Sequence, residues 1–168
     1  MRFRLKGSIP DPGPLPFRPS PEPNDRIRFQ VSGLPPDKDL HFSIRNPKHR
    51  RHCRFKELRG AAIAAMAGRA RYSGPIQLNV EILARELDRS LPEYLGGIMD
   101  TLDGSHAPSF TYLPVVYQDD CQVVSASVGY EPAQDDSYVV EIIFLDEEWR
   151  PVPSKALGDG ISIESADA

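Results

Sequence analysis

Residues 73–82 read SGPIQLNVEI, and this stretch gives a clear strand pattern from which the other elements can be placed. Its Ser-Gly-Pro start favours a turn. Apolar residues then occupy every second position, at Ile76, Leu78, Val80 and Ile82. Successive side chains of a β-strand point to opposite faces, so this period of two predicts a strand with one buried face.

A strand and a helix are predicted before this stretch. Residues 26–31 alternate polar and apolar side chains and stop at the glycine and prolines of residues 33–36, which predicts the first strand. Residues 55–70 are rich in alanine and predict a helix. Its apolar positions recur at helical spacing on one face: Phe55, Leu58, Ala62 and Met66.

A second helix is predicted to begin at Ser90, because Ser90 and Glu93 have the spacing of a capping box and Pro92 suits a first turn. Its expected apolar stripe consists of Leu91, Leu95, Ile98, Met99 and Leu102. The pair Gly96-Gly97 lies inside it, and each glycine costs about 1 kcal/mol relative to alanine. Such a cost suggests that another backbone approaches closely there.

Two more strands are predicted at residues 121–130 and 137–145. The order strand, helix, strand, helix, strand, strand predicts an α+β fold, with a single mixed β-sheet and two main helices packed on it. One domain is expected at residues 26–148, between a proline-rich arm (1–25) and an acidic tail (149–168).

The sequence lacks an apolar run long enough to span a bilayer and lacks a signal peptide, so we expect a cytoplasmic protein without a membrane partner. Cys53 and Cys121 have no paired spacing, and we interpret both as reduced packing residues. The histidines have no zinc-site context, and no phosphate-binding glycine motif is present. Neither a zinc site nor a nucleotide cofactor is therefore expected.

Charge is distributed very unevenly along the chain. Residues 1–71 hold 16 of the 20 Lys and Arg residues against 6 acidic ones, which gives +10, and the remainder carries −14. The distribution suggests a basic surface for a polyanion beside an acidic region that could hold a cation, or two halves that attract each other.

The basic residues are densest between positions 45 and 59. Six of them are predicted to contact DNA phosphates: Arg45, Lys48, Arg50, Arg51, Arg54 and Lys56. Nine cationic or potentially cationic residues in fifteen positions would repel one another without an anionic partner. A solvated charged face is the structural alternative.

Three short motifs carry a resemblance to a known family. They are residues 29–36 (FQVSGLPP), residues 97–104 (GIMDTLDG) and residues 117–123 (YQDDCQV). Their order and spacing resemble those of the RusA-type Holliday-junction resolvases over roughly residues 26–146. The third motif is the most specific, since it is similar to the family's D-D-x-Q-V.

The resemblance implies a RusA-like homodimer that binds branched DNA and cuts it with Mg²⁺ held by aspartates. The small residues of Gly96-Gly97 and of the first helix would also suit close packing in a dimer. By family position Asp120 is the metal ligand and catalytic residue, with Asp119 beside it.

The sequence departs from the family pattern elsewhere. An ungapped alignment places Ser90 and Pro92 at the family's D-x-D aspartates, and Gly96 at its lysine. A gapped alignment would place Glu86 and Asp88 there instead. Glu93, Asp88 and Glu86 are thus candidate substitute metal ligands, although Glu93 is also explained as a helix cap and Asp119-Asp120 as a turn.

Whether the chain is an enzyme is left open by the sequence. One hypothesis is a Mg²⁺-dependent endodeoxyribonuclease with weak or lost cleavage, because Mg²⁺ requires several well-placed oxygen ligands. The alternative is a catalytically inactive binding or protein-interaction module on the same fold.

Overall fold

The computed structural model describes residues 19–38, 42–103 and 115–148. It contains β1 (Arg26–Ser32), α1 (His52–Met66), β2 (Ile76–Ala84), α2 (Leu91–Leu102), β3 (Val123–Pro132) and β4 (Ser137–Phe144). A 3-10 turn, Asp120–Gln122, directly precedes β3. The predicted α+β fold with one mixed sheet and two helices is confirmed.

The four strands are arranged in the order β1-β4-β2-β3. The strand β4 is antiparallel to both of its neighbours, whereas β2 and β3 are parallel. Parallel strands need a crossover connection, and the segment containing α2 provides it here. This crossover brings the carboxyl end of α2 and the segment before β3 to the same part of the molecule.

Alternation along the strands places one face of the sheet in the core. In β2 the buried positions are those predicted, and β4 contributes Tyr138, Val140, Ile142 and Phe144. The other face is more polar, and there Asn79 accepts a hydrogen bond from the Ser127 hydroxyl and donates one to Glu141.

The helix α1 begins three residues earlier and ends four residues earlier than predicted. Its end is set by Ala67, which has a left-handed conformation (φ 50°) and donates its amide hydrogen to the Ile63 and Ala64 carbonyls. The alanine run therefore did not mark the boundary. The predicted apolar face is confirmed, since Phe55, Leu58, Ala62 and Met66 are all buried.

The helix α2 begins with the predicted capping box at Ser90 and Glu93. Its predicted apolar stripe is only partly right. Ile98 and Leu102 are buried, whereas Leu91, Leu95 and Met99 are only partly buried against the core. Tyr94 fills the buried face instead, because its hydroxyl reaches a polar partner, Asp88, at the edge of the core.

The close backbone approach predicted at Gly96-Gly97 is present, and its partner belongs to the same chain. A Cβ atom at Gly97 would lie 2.3 Å from the Pro36 carbonyl oxygen, and one at Gly96 would lie 3.2 Å from Lys38 Cδ. The glycine pair thus receives the segment after β1. This contact takes up the small-residue surface that suggested a homodimer, and the dimer itself stays a prediction.

Other expectations are corrected at the edges of the domain. Cys121 and Gln122 lie in the 3-10 turn and not in β3, which begins at Val123. Both cysteines are free, as predicted, but both are exposed and are not packing residues. Part of the predicted arm is anchored, because the Asn24 amide donates to the Phe144 carbonyl at 2.7 Å.

Residues 1–18 of the predicted arm, the loop at 104–114 and the predicted tail at 149–168 lie outside the described residues. None of the helices in the described ranges has the length and apolarity that a bilayer crossing requires.

Candidate functional site

Four aspartates come together where α2 ends and β3 begins, and we call them the acidic cluster. They are Asp100, Asp103, Asp119 and Asp120. The buried Tyr117 ties the two segments together, since its hydroxyl lies 3.1 Å from the Met99 carbonyl oxygen and 3.4 Å from Asp120 Oδ1. The crossover between the parallel strands thus brings both aspartates of the D-D-x-Q-V-like motif to the end of α2.

The charges of the cluster act on one another. Burial and the charge of Asp120 together raise the pKa of Asp103 to about 7, against the lowering effect of Arg45. The pKa of Asp120 is also raised, first by burial and then by the charge of Asp100. Like charges in one partly desolvated site oppose each other's ionisation, so Asp103 and Asp120 both hold their protons more tightly than isolated carboxyl groups do.

Among the described residues, two cations lie at this cluster. Arg45 donates a hydrogen bond to Asp103 Oδ1 at 3.1 Å and another to the Asp100 carbonyl. Lys38 Nζ lies 3.9 Å from Asp100 Oδ1, and its charge also lowers the pKa of Asp120. The side chain of Arg45 is mostly buried, whereas that of Lys38 is 52% exposed.

Sequence reasoning missed Lys38, and it assigned Arg45 to DNA. In the ungapped alignment Gly96 occupies the position of the family lysine, so the sequence predicts a site without a nearby cation. The structure instead places the Lys38 chain over Gly96 and its amine at Asp100. One feature of the sequence could have indicated this contact. Gly96 lowers the helix propensity of α2, and a glycine kept inside a helix suggests that another group occupies the space beside it.

The sequence allows two interpretations of Asp119, as a metal-site residue beside Asp120 and as part of a turn before β3. Its carboxylate accepts the Cys121 amide hydrogen at 2.9 Å and caps the 3-10 turn. Gln122 completes this turn, because its side chain accepts from the Gln118 amide and donates to the Gly74 carbonyl. The turn interpretation therefore holds for Asp119, while Asp120 faces Tyr117 and the acidic cluster.

The three candidate substitute ligands have other surroundings. Asp88 accepts a hydrogen bond from Tyr94 and pairs with Arg51 and Arg54. Glu93 accepts from the Ser90 amide at 2.9 Å, which lowers its pKa and accounts for it as a cap. Glu86 is an exposed loop residue after β2. None of the three joins Asp120 in the interactions described above.

The described carboxylates do not fit a bound Mg²⁺. Oxygen is the donor that Mg²⁺ prefers, but the ion needs several ligands in near-octahedral geometry. Within residues 19–38, 42–103 and 115–148, no three His, Cys, Asp or Glu side chains are grouped so that they could hold a metal ion. Asp103 and Asp100 point to Arg45 and Lys38 instead.

Apart from Arg45, which pairs with Asp103, the six predicted DNA contacts divide into two groups. Arg51 and Arg54 are used inside the chain, since Arg51 Nη1 lies 2.8 Å from Asp37 Oδ2 and Arg54 Nη2 lies 3.2 Å from Asp88 Oδ2. Asp37 is 1% exposed, and Arg89 also donates to it at 3.1 Å. These arginines hold the segment after β1 against the start of α1 and the loop before α2.

Lys48, Arg50 and Lys56 form the other group, and all three are exposed. We call them the basic face. They surround the amino end of α1, whose first turn has no acidic residue and whose N-cap makes no side-chain hydrogen bond. Arg50 and Lys56 line a shallow pocket of about 400 Å³ together with His52. Within the described residues none of the three makes a side-chain ion pair, so their charges are available to solvent or to a partner.

Comparison with protein-family models finds no match for this chain. Comparison with curated proteins finds none either.

Proposed function

We propose that the chain binds branched DNA on a RusA-like fold and that it cleaves this DNA slowly or not at all. The observation that carries the proposal is the basic face at the amino end of α1. Lys48, Arg50 and Lys56 are exposed cations whose charge the described carboxylates leave unpaired.

A polyanion is the partner that suits these charges. The amino end of an α-helix carries a partial positive charge and amide hydrogens without helical acceptors, and it attracts phosphate groups. Exposed lysine and arginine side chains beside it add to that attraction. Phosphate contacts of this kind position a protein on DNA without reading its sequence. The preference for branched DNA rests on the resemblance of the three motifs to the resolvases.

Slow or absent cleavage is favoured by the state of the acidic cluster. Magnesium-dependent hydrolysis needs carboxylates free to hold the ion, whereas Asp103 is bound by Arg45 and Asp100 lies beside Lys38. Of the predicted ligands, Asp119 and Glu93 act as caps, and Asp88 pairs with arginines. These contacts are more consistent with a DNA-binding protein than with an efficient nuclease.

The test is the affinity of the full chain for a fluorescent four-way junction, measured by anisotropy over a range of salt concentrations. Replacing Lys48, Arg50 and Lys56 together by alanine should weaken binding and lower the slope of log K against log salt by about 3, since each lost phosphate contact removes roughly 0.9. A matched control replaces Arg26, Arg28 and Arg71, which are exposed elsewhere. Equal losses in both triple variants would mean that only net charge matters, and absence of junction binding by the unaltered chain would overturn the proposal.

A further inference from the structure

Lys38 is fixed against α2 by contacts of its backbone and of its aliphatic chain. Its backbone amide donates to the Glu93 carbonyl at 3.0 Å. The two preceding residues, Pro36 and Asp37, lie directly on Gly97, where the Pro36 carbonyl occupies the space that a Cβ atom would take. The aliphatic part of Lys38 covers Gly96. The backbone and stem are thus fixed against α2, while the amine stays half exposed.

The ion pair with Asp100 does not explain this arrangement. Its atoms are 3.9 Å apart, and the two side chains are 52% and 33% exposed. Exposed ion pairs with such geometry contribute little to stability, because water screens them and the side chains lose conformational freedom. An alanine at Gly96 would improve the intrinsic helix propensity of α2, although its Cβ would lie 3.2 Å from Lys38 Cδ. The weak ion pair thus gives little reason for placing a lysine over this glycine.

The surroundings of the amine suggest another role. Arg45, the other cation at the acidic cluster, is mostly buried and already hydrogen-bonded to Asp103 and the Asp100 carbonyl. Four aspartates around two cations would repel a DNA strand unless an accessible cation met its phosphate. Lys38 is the accessible one. An ammonium group can exchange its long contact with Asp100 for a phosphate oxygen without leaving its position.

We infer that Lys38 is a phosphate-binding residue that contacts a DNA backbone beside the acidic cluster directly, without a bridging metal ion. The inference rests on the proposed DNA binding and deepens it. It adds a second phosphate contact region to the basic face. The strand that reaches Lys38 would lie beside the D-D-x-Q-V-like segment.

The test compares Lys38→Gln and Lys38→Arg with the unaltered chain on the same junction in EDTA, which removes metal-bridged binding. The glutamine variant should bind about 3- to 10-fold more weakly and should lower the salt slope by about 1. The arginine variant should keep the slope, because it keeps the charge. Thermal unfolding should be nearly unchanged in both, which separates lost contact from lost folding.

A second measurement detects contact itself. Cysteine is placed at position 38 in a chain with Cys53→Ser and Cys121→Ser, and the protein is mixed with a junction that carries a mixed-disulfide tether on a backbone phosphate. Attack of the protein thiolate on this disulfide forms the cross-link and releases the small thiol. Cross-linking should occur at position 38 and at a cysteine replacing Arg50, and should be at least 10-fold slower at one replacing Arg28. The rate of cross-linking depends on how close the thiol lies to the bound DNA. The cysteine replacing Arg28 is accessible but distant from the proposed contact, so it serves as the control.

The two proposals fail in different ways. If the unaltered chain binds the junction and the Lys48, Arg50 and Lys56 variant weakens it, but Lys38→Gln changes neither affinity nor slope, the inference about Lys38 is wrong and the proposed function stands. If the unaltered chain does not bind the junction, both are wrong.

Discussion

Arg45 donates a hydrogen bond to Asp103 Oδ1 at 3.1 Å across 58 residues of sequence, and the two side chains are 16% and 5% exposed. Breaking a buried ion pair by removing one partner leaves a charge without compensation. Arg45→Met should therefore destabilise the chain by about 3 kcal/mol at a pH near 8, measured by urea unfolding. The loss should be smaller at a pH near 5, because Asp103 is protonated there and needs no cation. A loss that does not depend on pH would contradict the ionic origin of the effect.

Asp103 should titrate near neutrality, with an apparent pKa of about 7 in a carboxyl ¹³C NMR titration. Because this value lies above the ordinary 3.8, the folded chain holds the proton more tightly than the unfolded chain does. The contribution of Asp103 to stability is therefore greatest below pH 3.8 and is lost as the pH rises to about 7. Asp120→Asn should lower the pKa of Asp103 by removing a nearby negative charge. An unshifted titration in that variant would show that the charge of Asp120 does not contribute to the elevation.

Asp37 should be a strong determinant of stability, because its buried carboxylate accepts from Arg51 and Arg89. Asp37→Ala would leave these guanidinium groups without their partner and should reduce the free energy of unfolding by about 3 kcal/mol. Asp135→Ala, at an exposed position in the turn between β3 and β4, is the matched control, and its effect should stay within about 0.5 kcal/mol. Similar losses in the two variants would exclude a special role for the buried carboxylate.

Gly97→Ala and Gly60→Ala should have opposite effects on stability. Both glycines lie inside helices, where alanine is favoured by about 1 kcal/mol. At Gly97 the new Cβ would lie 2.3 Å from the Pro36 carbonyl oxygen, whereas at Gly60 no described atom outside the adjoining helix backbone would lie within 4 Å of it. We expect Gly97→Ala to destabilise the chain by about 1–3 kcal/mol, as overpacking does, and Gly60→Ala to stabilise it. Stabilisation by both changes in urea unfolding would mean that the contact with Pro36 is not maintained in solution.

Junction cleavage with Mg²⁺ should be absent or very slow. The loss of one group that stabilises the transition state commonly costs about 10² to 10³ in rate, and the predicted ligands Glu93 and Asp88 are engaged elsewhere. A gel assay of a labelled four-way junction measures the rate, with Asp120→Asn as the comparison. Cutting at ordinary enzyme rates that Asp120→Asn abolishes would contradict this expectation. Glu86 and Asp88 would then be the next residues to replace.

The homodimer predicted from the sequence can be tested by sedimentation equilibrium at micromolar concentration. Two chains per particle are expected by resemblance to the resolvases. Gly96-Gly97 no longer supplies the interface, since the segment Pro36–Lys38 of the same chain covers it. The mass of a single chain would remove the dimer from the proposal.

Local chemistry determined most of the fold from the sequence alone. The alternation at residues 76–82, the helical spacing from Phe55 to Met66 and the capping box at Ser90 each act over a few residues, so the sequence predicted the elements that they specify. The same reasoning misplaced the end of α1 and the start of β3. Those boundaries depend on the left-handed turn at Ala67 and on the side chain of Gln122, which donates to carbonyls almost fifty residues away.

The candidate site was decided by the tertiary structure. Asp119 and Asp120 could be selected from the sequence as a motif, but their neighbours could not, because charge interactions depend on distance in space. The segment after β1 packs on Gly96 and Gly97, and this contact places Lys38 beside Asp100. Arg45 is far from Asp103 in the sequence, but folding brings its buried side chain to that carboxylate. The sequence alone does not distinguish an exposed arginine from a buried one. Only the folded chain separated Arg51 and Arg54, which are needed inside it, from Lys48, Arg50 and Lys56, which face solvent.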